Sequence, residues 1–383
     1  MTEQPIERAD VLIAGAGILG LTLAWRLQEA GLSTLTVEAG RAGGGTSGAT
    51  FAWINATSKT DHEAYHRLNA AGVAAWHALA QQAGAAAIGL HGQGSLQWTA
   101  RSRTVLHAQL LADRRALFAF GYPAEWLDRR AIRATLPALE DLPADAEGLW
   151  APADRWLEVE TYLGWVRQRL AAAGGRLLQE TALLGRAGSD RWLTERGSVQ
   201  AGRLVVAAGI GTGELLRRLG LAGGFPLQAV PGFLVETPPT ALGGKLNAVL
   251  WSPDLQEIHL RPTADGGLLL GADDLDALVG EGGDAEAVQQ ARQELLRRAE
   301  AWFPRLPRLE LATELGWRIG HRPVPADGRS IVGALAELPG VFVAVTHSGV
   351  TLAPALAALL CRWFASGERP AQLAPFSPAR FGL

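Results

Sequence analysis

The chain has 383 residues, 48% hydrophobic and 19% charged, with a net charge of −3. These proportions exclude a disordered chain and leave no basic footprint for nucleic acid. The single cysteine, Cys361, excludes an internal disulfide framework and a Cys-based zinc or iron–sulfur site. The eight histidines are dispersed without HExxH spacing, so no metal site is expected. Two lysines, Lys59 and Lys245, stand among scattered arginines, a skew that names no partner. Thirteen tryptophans against three tyrosines point to indoles placed in a core, an interface or a pocket.

The length predicts two domains or one elaborate domain. Acids precede the first apolar run, and that run is broken by Gly15, Gly17 and Gly20, so no signal peptide is expected. Every 18-residue apolar stretch is interrupted by charge or glycine, so no membrane span is expected and a cytoplasmic location is the default. Residues 10–14 read as a buried strand, 18–30 as a helix closed by Gly31, and 33–38 as a second strand, together a βαβ unit. A glycine-rich loop follows at 41–50. The spacing predicts a helix over 61–84, a hairpin strand over 89–98, and a helix over 103–120 with Leu106, Leu110, Leu111, Leu117 and Phe118 on one face. The Pro-, Asp- and Ala-rich stretch 137–153 reads as a domain crossing. A helix over 158–173 ends at Gly174-Gly175, and a strand closes on LVVAAG (204–209). Residues 225–275 alternate like an antiparallel sheet. A helix over 284–302, a strand near 311–319, a strand over 341–346 and a helix over 351–366 complete the chain. Pro238-Pro239 and Gly282-Gly283 read as loop tips.

GAGILG at 15–20 is a GxGxxG between a strand and a helix, and Glu38 ends the next strand 23 residues after Gly15. Gly15 suits the tight turn, Gly17 the close approach of a pyrophosphate, and Gly20 close helix–strand packing. The helix N-terminus, at Ile18, offers N–H groups and a positive dipole end to phosphate. Glu38 suits hydrogen bonds from a ribose and opposes a 2′-phosphate. GIGTGE at 209–214 fails as a second fingerprint because Glu214 takes the last position. One N-terminal fingerprint ahead of a discontinuous α/β pattern favours FAD over a nicotinamide.

Four patches, in order, then carry a resemblance over almost the whole chain: GAGILG with Glu38, GGGTSGA (43–49), LVVAAGIGT (204–212), and GHRPVPADGRSIVG (320–333) followed by VTHSGVTLAPAL (345–356). In this the chain resembles the D-amino-acid oxidase superfamily of flavoproteins, in the branch of glycine oxidase, sarcosine oxidase and the DadA-type dehydrogenases. The resemblance implies an α/β fold. A Rossmann-type FAD-binding domain is expected over 1–84, 154–224 and 319–383. A second, α+β substrate domain on an antiparallel sheet is expected over 85–153 and 225–318. It implies Thr46 and Ser47 near pyrophosphate and flavin, Ala208 and Gly209 packed on the cofactor, and Gly349, Val350 and Thr351 opening a helix toward the flavin.

It also implies that Arg322 clamps a substrate carboxylate, a task suited to a guanidinium fork. His259 stands where relatives carry a substrate-facing Tyr, and His347 lies beside the flavin turn. Trp53 and Trp98 are candidates for a pocket wall or the core. Relatives that bind flavin covalently do so through a Cys near RPxxxDG, where this chain has Gly320-His321, so noncovalent FAD is expected. The Lys that assists oxygen in sarcosine-oxidase-like enzymes is replaced by Leu269. The implied reaction is oxidation of a C–N bond in a small amino acid or N-alkyl amino acid by hydride transfer to flavin, then imine hydrolysis. Oxygen or another acceptor would reoxidise the flavin, and the oligomeric state is open. The alternatives are the flavin subunit of a heteromeric amino-acid or hydroxyproline dehydrogenase, an NAD(P)H-dependent flavin monooxygenase, and a binding module without catalysis.

Overall fold

The computed structural model describes residues 7–139, 142–240, 244–252, 258–280, 282–303 and 315–383. The chain divides into two compact units. The first holds residues up to Gly48, Val159–Val230 and His321–Leu383, and the second holds Ala49–Glu158 and Pro231–Gly320.

In chain order the first unit opens with β1 (Glu7–Ala14), α1 (Ile18–Glu29) and β2 (Thr34–Val37). The second unit takes β3 (Trp53–Ile54), α2 (Glu63–Ala83), β4 (Leu90–His91), β5 (Ser95–Ala100), α3 (Thr104–Phe120), β6 (Glu125–Asp128), α4 (Arg129–Thr135), β7 (Ala146–Ala151) and β8 (Arg155–Leu157). The first unit resumes with α5 (Val159–Ala172), β9 (Arg176–Leu178), β10 (Leu183–Arg186), β11 (Arg191–Thr194), β12 (Gly197–Val206) and α6 (Thr212–Arg218). Then come β13 (Leu227–Glu236), β14 (Val249–Trp251), β15 (His259–Pro262), β16 (Leu268–Gly271), α7 (Asp273–Val279) and α8 (Ala285–Trp302). β17 (Gly316–Pro325), β18 (Ile331–Ala334), β19 (Val341–Val345) and α9 (Gly349–Ser366) finish the chain.

The first unit is built on parallel pairing. β1 lies between β2 and β12, β2 pairs with β9, and β12 pairs with β19, all parallel. Such strands are buried on both faces, and the apolar runs of β1 and β2 meet that demand. Leu12, Ala14, Leu35, Val37, Leu204, Val206 and Val343 form one core layer. α1 packs on α5 and on α9. By length and composition α9 is apolar enough to cross a membrane, although Gly349 and Arg362 interrupt it, and most of it is buried inside the protein.

The second unit carries an eight-stranded sheet in the order β17-β13-β16-β15-β14-β5-β7-β6. Leu96, Leu250, Leu260 and Leu270, aligned across four strands, point into its core. β13 on β16, β16 on β15, β15 on β14, β5 on β7 and β7 on β6 pair antiparallel, whereas β14 on β5 is parallel. A small sheet, β3-β8-β4, lies in the same unit.

Several expectations are corrected here. Residues 49–84 lie with the second unit because β3 pairs with β8 and His66 of α2 packs its ring on Tyr122 and Phe120. The stretch 137–153 is no crossing, since it holds β7, which pairs with β5 and β6; the chain crosses after Glu158. The stretch 89–98 is no hairpin, because β4 pairs with β8 while β5 pairs with β7 and β14. Phe118 is 87% exposed, and the buried residues of α3 are Leu110 and Leu117. Of the strand expected near 311–319, residues 311–314 fall outside the described residues. β17 starts at Gly316 and runs to Pro325, through the Arg322 motif.

Asp154, fully buried beside β8, is held by three hydroxyls. Thr57 and Ser95 donate to Oδ2 and Tyr122 to Oδ1, each at 2.6 Å. Burial pushes its carboxyl up to about 6, and the bonds from Ser95, Thr57 and Tyr122 oppose part of that rise. The folded chain therefore holds this proton more tightly than the unfolded chain does. The stability so gained is present below the ordinary value of 3.8 and is lost as pH rises through about 6. Asp154→Asn, which mimics the neutral acid, removes this dependence. In thermal melts, the wild-type protein should lose ground to the variant between pH 4 and pH 7. A pH-independent difference would refute the assignment.

Candidate functional site

The first unit concentrates the residues singled out for a dinucleotide. Gly15 has φ of +110°, a conformation that L side chains rarely adopt, and a Cβ there would collide with the Ala207 carbonyl. A Cβ on Gly20 would collide with the Gly15 carbonyl. These two glycines therefore fix the β1–α1 turn and its fit against the end of β12. Gly17 differs. Its backbone, at φ −71° and ψ −178°, suits any residue, and a Cβ would lie 3.1 Å from Ser47 Oγ. Only space in front of the helix requires a glycine at this position.

The loop after β2 closes over that space. Ser47 Oγ accepts from the Ile18 N–H at 3.0 Å, taking one of the free donors at the start of α1. The Gly43 N–H donates to the Ala16 carbonyl at 3.0 Å. The Thr46 hydroxyl donates to the His321 carbonyl, which ties the loop to β17. Glu38, half-buried at the end of β2, accepts from the Ala16 N–H at 2.7 Å and the Gly40 N–H at 2.9 Å. Its carboxylate thus braces the turn from behind the glycines.

A second helix N-terminus joins the first. A Cβ on Gly349, which opens α9, would lie 3.9 Å from the Ile18 side chain, so α1 and α9 begin side by side. Neither has an acid in its first turn. Two positive dipole ends therefore converge with no carboxylate of their own to offset them. Val350 and Thr351 are buried in the first turn of α9. The turn before α9 is set by Thr346, whose hydroxyl accepts from Ser330 Oγ at 2.8 Å and from the Ser348 N–H at 3.1 Å. Ala208 and Gly209, φ +55° at the latter, lead from β12 into α6. Glycines that a Cβ would fill, a bracing carboxylate and paired helix N-termini fit the diphosphate and flavin of FAD. Gly15, Gly17, Gly20, Ser47, Thr46 and the start of α9 would hold it.

Arg322 is half-buried on β17, next to the carbonyl that Thr46 holds. His347 is exposed in the turn between β19 and α9. Both belong to the first unit, whereas His259 belongs to the second. At the start of β15, His259 faces Gly271 of β16 and Trp251 of β14. Its ring lies over Gly271, where a Cβ would collide with Nε2, and meets Phe51 edge-on at 4.6 Å. Trp53 meets Trp251 edge-on at 5.0 Å, while Trp98 packs on Trp302 at the core.

Sequence reasoning passed over Arg261, two residues after His259 and so on the same sheet face. It is 5% exposed. It donates from Nε to the Phe51 carbonyl at 2.6 Å and from Nη1 to the Pro262 carbonyl at 2.9 Å. Strand alternation from His259 was the available signal. Among the described residues no cluster of His, Cys, Asp and Glu could hold a metal ion.

The comparisons with known proteins converge. The family model described as "DAO: FAD dependent oxidoreductase" matches residues 10–363. The glycine oxidase of Pseudomonas aeruginosa is 26% identical, over 96% of this chain and 98% of its own length. One subunit of the opine oxidase of Rhizobium meliloti is 26% identical, over 97% of both chains. The crystal structure of glycine oxidase from Geobacillus kaustophilus shares the fold with a TM-score of 0.81 and 24% identity, over 97% of this chain and 98% of that one.

Proposed function

Because the chain belongs to the DAO family of FAD-dependent oxidoreductases, we propose that it oxidises the C–N bond of a small amino acid or N-alkyl amino acid. The observation that carries the cofactor half of this reading is the glycine cradle beneath two converging helix N-termini. The substrate half is supported by the similarity to a glycine oxidase along nearly the whole chain.

Bound FAD supplies the two-electron acceptor. The chain's own residues do the rest. Arg322 holds the substrate carboxylate through its guanidinium fork. His259 hydrogen-bonds the substrate, and its position against Phe51 and over Gly271 fixes the ring. His347 stands exposed in the turn before α9, next to the helix start that would face the flavin. The amine reacts neutral, its lone pair stabilising the developing iminium, so orientation rather than a strong base sets the rate. Loss of two electrons and two protons leaves an imine, and water converts it to a keto acid or aldehyde with release of the amine.

FAD is held noncovalently on this reading. The one thiol, Cys361, lies within α9, and burial pushes it up to about 12, which leaves little thiolate to attack a flavin. A lone reduced thiol also suits the cytoplasmic location we propose. Glu38→Ala releases the turn's brace and is expected to weaken FAD binding about tenfold, ~1.4 kcal/mol. Titration of apoprotein with FAD measures this, and unchanged affinity would deny Glu38 that role.

The reading is tested by product analysis with an artificial electron acceptor. Stoichiometric ammonia or alkylamine and a carbonyl product support it, and flavin reduction by NADPH alone refutes it. The opine oxidase similarity supports a second reading, a flavin subunit that works with a partner. Copurification with a second polypeptide needed for turnover would favour that reading.

A further inference from the structure

One face of the second unit's sheet packs on the core, and the other gathers polar and aromatic groups. Gln97, Trp251, His259 and Gly271 stand in a cross-strand row on β5, β14, β15 and β16. Arg261 lies one step along, opposite Leu269. Its guanidinium carbon is 4.6 Å from the ring centre of Trp156 and 5.9 Å from that of Phe51. Trp156 is stacked on its far side by His91 at 4.4 Å.

Arg261 is a buried cation, and among the described residues no carboxylate pairs with it. Its two hydrogen bonds go to neutral carbonyls, using two of five N–H groups. The charged groups that act on it are Arg318, Glu236 and Glu158. Glu236 is bound to Arg318 at 2.9 Å, and Glu158 lies 3.9 Å from the His91 ring. Burial and Arg318 both press against its charge, pulling the guanidinium below its ordinary value to about 9. A buried charge is retained at such expense when a partner ion completes it. An independent sign of a ligand lies on the same face. The side-chain oxygen of Gln97, a residue only 4% exposed, is buried with no hydrogen-bond partner among the described residues. It is an acceptor awaiting an N–H or O–H donor.

We propose that Arg261 is an anion-binding, specificity-determining residue that takes a carboxylate, with Gln97 accepting a hydrogen bond from the same ligand. The proposal rests on the function assigned above and narrows it. An acidic or N-carboxyalkyl amino acid is the substrate class that brings such a carboxylate to this face of the second unit.

The test measures binding to the holoenzyme by calorimetry, apart from turnover. Glutarate and valerate share a five-carbon chain and differ in one carboxylate. Wild-type enzyme should bind glutarate at least about tenfold tighter, the worth of one charge-assisted contact. R261M should erase that preference, and R261K, which keeps the charge without the fork, should lower it at least about threefold. Equal binding of the two acids by wild-type enzyme, or an unchanged preference in R261M, overturns the proposal. If R261M does not fold, R261K decides, and a preference it leaves unchanged overturns the proposal. A glutarate preference in an enzyme whose flavin no amino acid reduces would keep Arg261 as an anion site and refute the amine oxidation reading. Reduction by monocarboxylic amino acids with no glutarate preference would do the reverse.

Discussion

Gly17→Val is expected to yield a folded protein that purifies colourless. The residue caps α1 with backbone angles open to any side chain, so the substitution strains nothing in the turn. What it fills is the space in front of the helix, where even a Cβ would already crowd Ser47 Oγ at 3.1 Å. The two further methyl groups of valine reach beyond that, into the path of the diphosphate. FAD affinity should fall by about 100-fold or more, ~3 kcal/mol. The melting temperature should stay within a few degrees of wild-type apoprotein. Gly15→Val is the control of opposite kind. It forces a β-branched residue to a φ of +110° and against the Ala207 carbonyl, so folded yield itself should drop. Flavin content and thermal melts of the two variants separate binding from folding. A yellow Gly17→Val protein would remove the cradle from the account.

Arg322→Ala should cost kcat/KM about 100-fold or more with flavin content unchanged. Hydrogen bonds to charged groups contribute about 1.5–3 kcal/mol each, and a fork makes two. The strand that carries Arg322 is tied through the neighbouring His321 carbonyl to Thr46. The side chain can therefore be truncated without releasing the loop. Arg322→Lys should recover only part of the loss, because an ammonium lacks the planar fork. Flavin reduction by Arg322→Ala at the wild-type rate and affinity would show that the carboxylate is held elsewhere.

The β1–α1–β2 unit was legible because everything that specifies it is local. An apolar run, three spaced glycines and an acid lie within 38 residues, and the paired turn and brace follow from them. Thr46, Ser47, Gly209 and Gly349 could be placed only through family resemblance, since their meeting with the first turn depends on contacts between distant segments. The same cause hid what was missed. Residues 137–153 have the composition of a linker, yet β7 finds partners in β5 and β6 and is buried there. β4 lies next to β5 in sequence but pairs with β8. Phe118 fits a helical apolar face by spacing, but no element of the described chain covers it, and it is exposed. Arg261 reads as a solvated strand residue until Phe51, 210 positions earlier, and Trp156 close over it.

The most direct test of the central claim is anaerobic. The purified flavoprotein is mixed with a panel of D-, L- and N-methyl amino acids, acidic ones included, while the oxidised-flavin absorption band is followed. Bleaching by one chemical group of amines, without any acceptor present, is the predicted result. A flavin that stays oxidised with every amine but is bleached by NAD(P)H would contradict the account.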